Sequence, residues 1–239
     1  MIETKIVELE KVKLKNPVCI VGLPGIGHIG RISAEYMIHQ LKAKKFAELY
    51  SPFFFPFVVV HKDRIHTLRN EFYYYKGKKS GDLIFLIGDC QTYDPKGHYE
   101  VAGKILEFLK KLGCKEIIAI GGFSVGRMVP KPRVFGVALD DKKANELKKY
   151  GIIVKVSGKV GTIVGAAGLL PGLSPLYGMS GYTLLGETTG FPIVTDPNAA
   201  ESVLDKLQKI LHVEIDTVSY THLRAHETRH DLVCRLLLE

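Results

Sequence analysis

The sequence predicts an α/β fold with an open, mostly parallel sheet and helices on both faces. Apolar runs that end near glycine alternate with amphipathic segments, and the connections between them are short. The clearest buried strands are Val18–Val21, Asp82–Gly88 and Glu116–Ile120. Strands that alternate with helices over short connections are typical of parallel β-α-β units. The 239 residues are enough to bury the core of one such domain.

The first part of the chain contains the first of these units. A segment of alternating apolar and charged residues from Ile2 to Leu14 fits an edge strand. The Val18–Val21 strand then leads into the glycine-rich loop Gly22–Gly30. An amphipathic helix is predicted to follow over Ile29–Leu41.

The glycine-rich loop matches the dinucleotide-binding pattern G-x-G-x-x-G through Gly25, Gly27 and Gly30. In such a site an acidic residue at the end of the next parallel strand binds the ribose. Glu48 has about the right spacing, but no second buried parallel strand ends there. We therefore expect the glycines to serve a tight turn and close packing of helix on sheet, while anion binding at this loop stays open.

A run of aromatic and proline residues follows. Pro52 and Pro56 exclude a regular central strand over this part of the chain. Three short strands are expected to pair as a hairpin-like insertion: Val58–His61, Ile65–Leu68 and Glu71–Tyr75.

The aromatic side chains of this region fit either the core or a contact between subunits. Exposed aromatic clusters are common at protein interfaces. Both interpretations stay open at this point. The candidate interface residues are Phe53, Phe54, Phe55, Phe57 and Tyr74.

The second half of the chain continues the alternation of strands and helices. Asp196 followed by Pro197 is a strong N-terminal signal for the last helix. A stretch rich in small residues, Gly158–Gly172, favours close packing of a helix on the sheet or on another subunit. The other predicted elements are a helix over His98–Leu112, strands over Arg133–Leu139, Ile152–Val156 and Gly181–Gly186, and a helix over Asp140–Tyr150.

The composition changes abruptly near the end of the chain. Residues 218–239 resemble a translated adapter read-through from a sequencing library, so we expect a native domain over 1–217 and a non-native tail that replaces the natural C-terminus. His222, His226 and His230 have helical spacing within this tail. Because the tail is expected to be non-native, we do not assign them a metal site.

The composition of the chain limits the kinds of partner that the protein is expected to bind. The net charge of +8 comes without an Arg-rich run interleaved with aromatics, which argues against nucleic-acid binding. No leader and no membrane span is expected. The four cysteines form no C-x-x-C pair, and most adjoin strand-like apolar runs. Free buried thiols and a cytoplasmic location are therefore predicted.

The loops at the carboxyl ends of the predicted strands form the candidate ligand site, since ligands of open α/β sheets bind at that edge. Backbone N–H groups of Gly25 and Gly27 together with Arg127 would hold a phosphate or carboxylate. His28 or Asp89 would serve as the base in an enzyme. The candidate residues are Gly25, Gly27, His28, Asp89, Ser124 and Arg127, with Arg31, Asp94 and Glu187 nearby.

Ser124 lies in a string, Gly122–Gly126, that matches G-x-S-x-G. A nucleophile elbow requires a long helix directly after the serine. Pro130 and Pro132 leave no room for that helix, and His212 is the only late histidine outside the predicted tail. We therefore predict no catalytic residues, no cofactor and no metal.

Five blocks of sequence, in order, resemble the archaeal proteasome assembly chaperone family, whose members are homologues of the second subunit of the eukaryotic assembly-chaperone pair. The first is Gly22-Leu-Pro-Gly-Ile-Gly-His-Ile-Gly30. The others are Gly88-Asp-Cys-Gln, Ile120-Gly-Gly-Phe, Gly161-Thr-Ile-Val-Gly-Ala-Ala-Gly-Leu-Leu, and Leu184-Leu-Gly-Glu-Thr-Thr-Gly with Asp196-Pro-Asn-Ala-Ala200.

The resemblance implies a three-layer α/β/α fold similar to nucleoside phosphorylases. It also implies a homo-oligomeric, non-catalytic scaffold in proteasome assembly, with proteasome α subunits or a paralogous chaperone as partners. Some family members are labelled ATP-grasp-like. The alternative is a nucleotide- or small-molecule-binding enzyme, phosphorylase-like or ATP-grasp-like, that uses the glycine-rich loops.

Overall fold

The computed structural model describes residues 2–154, 161–190 and 195–216. The predicted tail lies outside these ranges. The strands are β1 (Lys5–Glu8), β2 (Val18–Gly22), β3 (Lys44–Tyr50), β4 (Val58–His61), β5 (Arg64–Thr67), β6 (Asn70–Lys76), β7 (Asp82–Gly88), β8 (Glu116–Ser124), β9 (Val134–Ala138) and β10 (Ser180–Thr188). The α-helices are α1 (Ile29–Gln40), α2 (Pro95–Lys111), α3 (Asp141–Lys148), α4 (Ala166–Leu173) and α5 (Pro197–Leu211).

Eight of the strands form one mixed sheet in the order β1-β3-β6-β7-β2-β8-β10-β9. The four central strands, β7, β2, β8 and β10, are parallel to one another. The flanking pairs β6–β7, β3–β6, β1–β3 and β9–β10 are antiparallel, so β3 again runs with the central strands. The predicted α/β class is confirmed, and its antiparallel strands lie at the two sides of the sheet.

Helices cover both faces of the sheet and bury one apolar cluster on each. On one face α2 and α4 pack over side chains such as Val21, Phe72 and Leu86. On the other face α1, α3 and α5 pack over side chains such as Ile20 and Tyr182. Alternate residues of each central strand enter opposite clusters because side chains alternate across a sheet.

Three cysteines lie in this core, as predicted. Cys19, Cys90 and Cys114 are buried and unpaired in disulfides. Burial raises the pKa of Cys90 to about 12 and that of Cys114 to about 11, so both thiols stay protonated at neutral pH. They act as small apolar groups rather than as nucleophiles.

One prediction about strand pairing is wrong. The segment Glu71–Tyr75 does not pair with Val58–His61 but forms part of β6, which pairs with β7 on one side and β3 on the other. Only β4 and β5 form the separate hairpin. Strand β6 joins the main sheet because Phe72 is fully buried there, a gain that a local hairpin would not provide.

Several boundaries also differ from the predictions. Helix α2 begins at Pro95 rather than at His98, because the Asp94 carboxylate accepts a hydrogen bond from Gly97 N at 2.8 Å and caps the helix. In place of the strand predicted over Ile152–Val156, the described residues show a single bridge from Ile153 to Phe135. Residues 155 and 156 lie outside the described ranges.

The register of the central strands creates the edge at which the cleft lies. Strand β8 pairs with β10 up to Ser124 and Thr188. Its pairing with β2 ends earlier, at Ala119 and Val21. The last residues of β8 therefore extend beyond the end of β2, next to the glycine-rich loop.

Candidate functional site

A cleft of about 550 Å³ lies at the carboxyl edge of the central strands. Its walls are the end of β8, the glycine-rich loop after β2 and the segment that leads into α4. A ligand site is expected at this edge of an open α/β sheet. The lining residues are Val21, Leu23, Gly25, Ile26, Gly30, Gln91, His98, Ile120, Gly121, Gly122, Phe123, Ser124, Thr162, Ile163, Val164, Gly165, Ala166, Ala167 and Leu185.

Two glycines of the loop are required by close packing. A Cβ on Gly30 would lie 2.5 Å from the carbonyl oxygen of Ile120, and a Cβ on Gly22 would overlap the backbone of Gly30. Helix α1 thus contacts β2 and β8 at backbone distance. This packing role is the one predicted from the sequence.

Gly27 and His28 belong to the same loop but do not line the cleft. Both have left-handed backbone conformations, with φ of 66° and 51°. The Gly27 carbonyl accepts a hydrogen bond from Asp196 N at 2.9 Å, and the Asp196 carboxylate accepts one from the Thr188 hydroxyl at 2.7 Å. These contacts connect the loop to the start of α5.

Asp89 lies outside the cleft and stabilises the junction of β6 and β7. Its carboxylate accepts a hydrogen bond from Arg69 N at 3.1 Å, and its own N–H donates to Arg69 O at 2.9 Å. The nearby Arg31 is buried, donates to the carbonyl of Gly88 and pairs with Glu35 at 3.3 Å. Neither side chain faces the predicted ligand.

Ser124 lies on the rim of the cleft. Its hydroxyl donates to Thr189 O at 3.3 Å. Arg127 is exposed and does not line the cleft, so the structure brings Gly25 and Ser124 together there but not Gly27, His28, Asp89 or Arg127.

Both carboxylate oxygens of Glu187 are hydrogen-bonded to Arg133, the residue that precedes β9. The guanidinium of Arg133 donates to both of its carboxylate oxygens, at 2.9 and 2.6 Å. These bonds, with a smaller effect from the charge of Arg127, lower the pKa of Glu187. The carboxylate of Glu187 therefore has a structural role: its ion pair with Arg133 holds the start of β9 against β10.

Gln91 and His98 border the cleft and were not predicted as site residues. The Gln91 amide donates to Pro24 O at 2.6 Å and accepts from Ala166 N at 2.9 Å, so it connects the glycine-rich loop with α4. Gly165 must be glycine because its φ is 76° and a Cβ there would overlap the Gln91 amide. The available signal for Gln91 was its place in the block after Gly88, directly beyond a strand end.

The lining of the cleft is uncharged as far as the structure describes it. Within the described part of the chain, its lining includes no Asp, Glu, Lys or Arg. Across residues 2–154, 161–190 and 195–216, no group of three His, Cys, Asp or Glu side chains is placed to hold a metal ion. Among the helices in those ranges, none is both long and apolar enough to cross a bilayer.

The predicted interface residues divide between core and surface. Phe54 is buried in the core, with 5% of its surface exposed. Phe53, Phe55, Phe57 and Tyr74 are half-buried. The rings of Phe55 and Phe57 are 6.0 Å apart, and Phe55 is 5.6 Å from the ring of Tyr93, which is exposed. These half-buried rings stay candidates for a subunit contact.

Comparison with known proteins shows a match over most of the chain. The solved structure of Pyrococcus furiosus PbaB, described as an archaeal proteasome activator, is 41% identical, with a TM-score of 0.88 and 100% of both chains covered. The structure of P. furiosus PbaA, described as an archaeal homolog of proteasome-assembly chaperone, is 27% identical, with a TM-score of 0.76 and 93% of this chain and 92% of that chain covered.

A relative from another archaeon and a family model agree with these structures. The uncharacterized protein MJ1210 of Methanocaldococcus jannaschii is 38% identical over 217 residues, which cover 90% of this chain and 81% of that protein. The model of the PAC2 family matches residues 19–232. The chain therefore belongs to the PAC2 family.

Proposed function

We propose that this protein is a non-catalytic chaperone or scaffold that acts on the proteasome as a homo-oligomer. The observation that carries the proposal is the 41% identity and the TM-score of 0.88 to PbaB over the full chain. PbaB is described as a proteasome activator and PbaA as a homolog of an assembly chaperone. Both descriptions name the proteasome.

The placement of the candidate residues supports a role without catalysis. Asp89 and Glu187 are occupied by Arg69 and Arg133, respectively. Ser124 donates to a backbone carbonyl, and no histidine hydrogen bond to it is seen among the described residues. Asp89, a candidate base, and Ser124, a candidate nucleophile, are thus engaged in structural contacts. A cytoplasmic location stays a prediction.

The partner that we propose is the proteasome α ring. The test is the mass of the full chain in solution, alone and mixed with purified archaeal proteasome α subunits, measured by light scattering after size exclusion. A second version carries the C-terminal segment of PbaB in place of residues 218–239. We expect an oligomer of the chain alone and a larger complex with the α subunits. A monomer that joins the ring in neither version would contradict the proposal.

A second function is favoured by one observation, the 550 Å³ cleft at the carboxyl edge of the sheet. A nucleotide- or small-molecule-binding enzyme would use such a cleft. A thermal-shift panel of nucleotides, nucleosides and phosphate tests it. Stabilisation by a charged nucleotide would support this alternative, and no shift with any member would exclude it.

A further inference from the structure

We propose that the cleft at the carboxyl edge of the sheet binds a neutral small molecule that has an apolar body and a hydrogen-bonding group at its inner end. This binding activity is separate from contact with the proteasome. It rests on the size and lining of the cleft, on a smaller pocket beside it, and on two polar side chains at that inner end.

The size and lining of the cleft fit a small organic molecule. Its 550 Å³ lie within the range of about 300–1,000 Å³ that is typical of ligand pockets. Aliphatic side chains such as Ile120, Ile163 and Leu185 supply apolar surface, and Gly121 and Gly122 let a ligand approach the backbone of β8.

A smaller pocket of about 20 Å³ adjoins the cleft, large enough for one water-sized polar group. It extends between α2 and α4 and is bordered by Phe54 and Thr92. The cleft and the pocket have common walls, formed by Leu23, Gln91, His98 and Ala166.

Two polar groups border the inner pocket and have no hydrogen-bond partner among the residues that the structure describes. Thr92 is 7% exposed, and its hydroxyl oxygen is buried with no hydrogen bond. The His98 imidazole makes no hydrogen bond within the described ranges. A buried hydroxyl without a partner is costly, and a ligand group that hydrogen-bonds to it removes that cost. Threonine and neutral histidine both donate and accept.

These features select the chemical class of the ligand. Because no charged side chain of the described residues lines the cleft, a phosphate or carboxylate would lose its hydration there without gaining a counter-charge from them. An amide or hydroxyl group matches both Thr92 and His98. The inference is therefore a neutral, partly apolar ligand with such a group.

Benzamide, benzoate and toluene are the probes, since they share an aromatic ring and differ in the polar group. Protein-observed NMR of the full chain follows the methyl groups of Leu23, Ile120 and Leu185. We expect saturable shifts with benzamide and a Kd on the order of millimolar, which is usual for a ligand this small. Benzoate and toluene should bind at least about 5-fold more weakly, because each lacks a neutral hydrogen-bonding group.

Variants test the inner end of the site. Thr92→Val keeps the shape of the side chain and removes its hydroxyl, so benzamide should bind about 5–10-fold more weakly while toluene is unaffected. His98→Leu provides a second test and should weaken the binding of benzamide to a similar extent. The matched control is Thr67→Val, the same substitution at an exposed position of the β4–β5 hairpin, which should change neither affinity.

Three binding results would overturn the proposal. These are no methyl shift in the cleft with benzamide at its solubility limit, equal affinity for benzoate and benzamide, or unchanged benzamide affinity in both Thr92→Val and His98→Leu. A crystal structure with benzamide that shows only an ordered water beside Thr92 would also overturn it. Binding to α subunits is a separate measurement, so failure of one proposal leaves the other standing.

Discussion

Glu71 lies at the centre of a cluster of charged and tyrosine side chains on β3 and β6. Its carboxylate is 2.8 Å from Arg69 and 3.3 Å from Lys45, and it accepts a hydrogen bond from the Tyr73 hydroxyl at 2.8 Å. Glu48, the residue at the spacing of a ribose-binding acid, belongs to the same cluster through Lys45 and Arg69. Its role is therefore structural.

The pKa of Glu71 makes the stability of the fold depend on pH. Burial alone would raise the pKa, but hydrogen bonds from Arg69 and Tyr73 and the charge of Lys45 lower it to about 2. An unfolded glutamate has a pKa of about 4.3. The stabilising effect is therefore fully present above about pH 5 and is lost as the pH falls toward 2.

We predict that Glu71→Gln flattens this acid dependence. Between pH 5 and pH 2, the wild-type free energy of unfolding should fall by about 1–3 kcal/mol more than that of the variant. Urea unfolding at a series of pH values measures both. Glu201→Gln on the exposed side of α5 is the control and should follow the wild type. Parallel curves for Glu71→Gln and wild type would show that the cluster does not set the acid response.

At the scale of elements, the start of α5 is hydrogen-bonded to two other parts of the fold through Asp196. The Asp196 carboxylate accepts from Ala199 N at 3.0 Å, as a helix cap, and from the Thr188 hydroxyl at 2.7 Å. Asp196 N also donates to Gly27 O. The helix, strand β10 and the glycine-rich loop therefore meet at this one residue.

We predict that Asp196→Ala lowers the free energy of unfolding by about 2 kcal/mol, because it removes a cap and leaves the Thr188 hydroxyl without a partner. Asp140→Ala is the matched control. Asp140 is exposed and caps α3 through Lys143 N at 2.8 Å, and its carboxylate accepts no second bond in the described contacts. That variant should lose about 1 kcal/mol or less. Equal losses in urea unfolding would mean that the Thr188 contact contributes nothing.

The pairing of the elements was only partly predictable. Asp196 as a cap and the start of α1 at Ile29 follow local rules of helix capping and periodicity, and the structure confirms them. Strand β3 and the place of β6 beside β7 were missed. Lys44–Tyr50 carries charged residues on one side, and their partners, such as Arg69, come from a distant part of the chain.

At the scale of the whole molecule, an aromatic patch lies beside an exposed hairpin. We define the patch as Phe55, Phe57 and Tyr93, whose neighbouring rings lie 6.0 and 5.6 Å apart. On the β4–β5 hairpin, Val60 and Ile65 pair across the strands and are 63% and 72% exposed. Exposed apolar side chains of this kind are common at protein contacts.

If the proposed homo-oligomer uses this patch, Phe57→Ser should lower the mass of the chain in solution and weaken the association constant by about 10-fold or more. Tyr99→Ser is the control, since Tyr99 is 62% exposed on α2 and outside the patch. Light scattering over a dilution series gives the mass, and circular dichroism verifies that both variants fold. An unchanged mass for Phe57→Ser would place the subunit contact elsewhere.

The candidate site, like the fold, was only partly predictable from the sequence. The strand-end loops were predicted to converge, and the parallel pairing of β7, β2, β8 and β10 confirms it. Which side chains face the cleft was not predictable. Asp89 and Arg127 are polar residues in these loops, yet Asp89 bonds to Arg69 and Arg127 points outside the lining, while Gln91 and His98 border the cleft.

The sequence by itself determined the class of fold, the starts of α1 and α5, the buried thiols and the packing role of Gly22 and Gly30. Each of these depends on periodicity, capping or backbone geometry within a short segment. Only the tertiary structure decided the order of the outer strands, the partners of Glu71 and Glu187, and the polar inner end of the cleft. Those features depend on contacts between residues far apart in the chain, and local pattern carries no information about which distant group arrives.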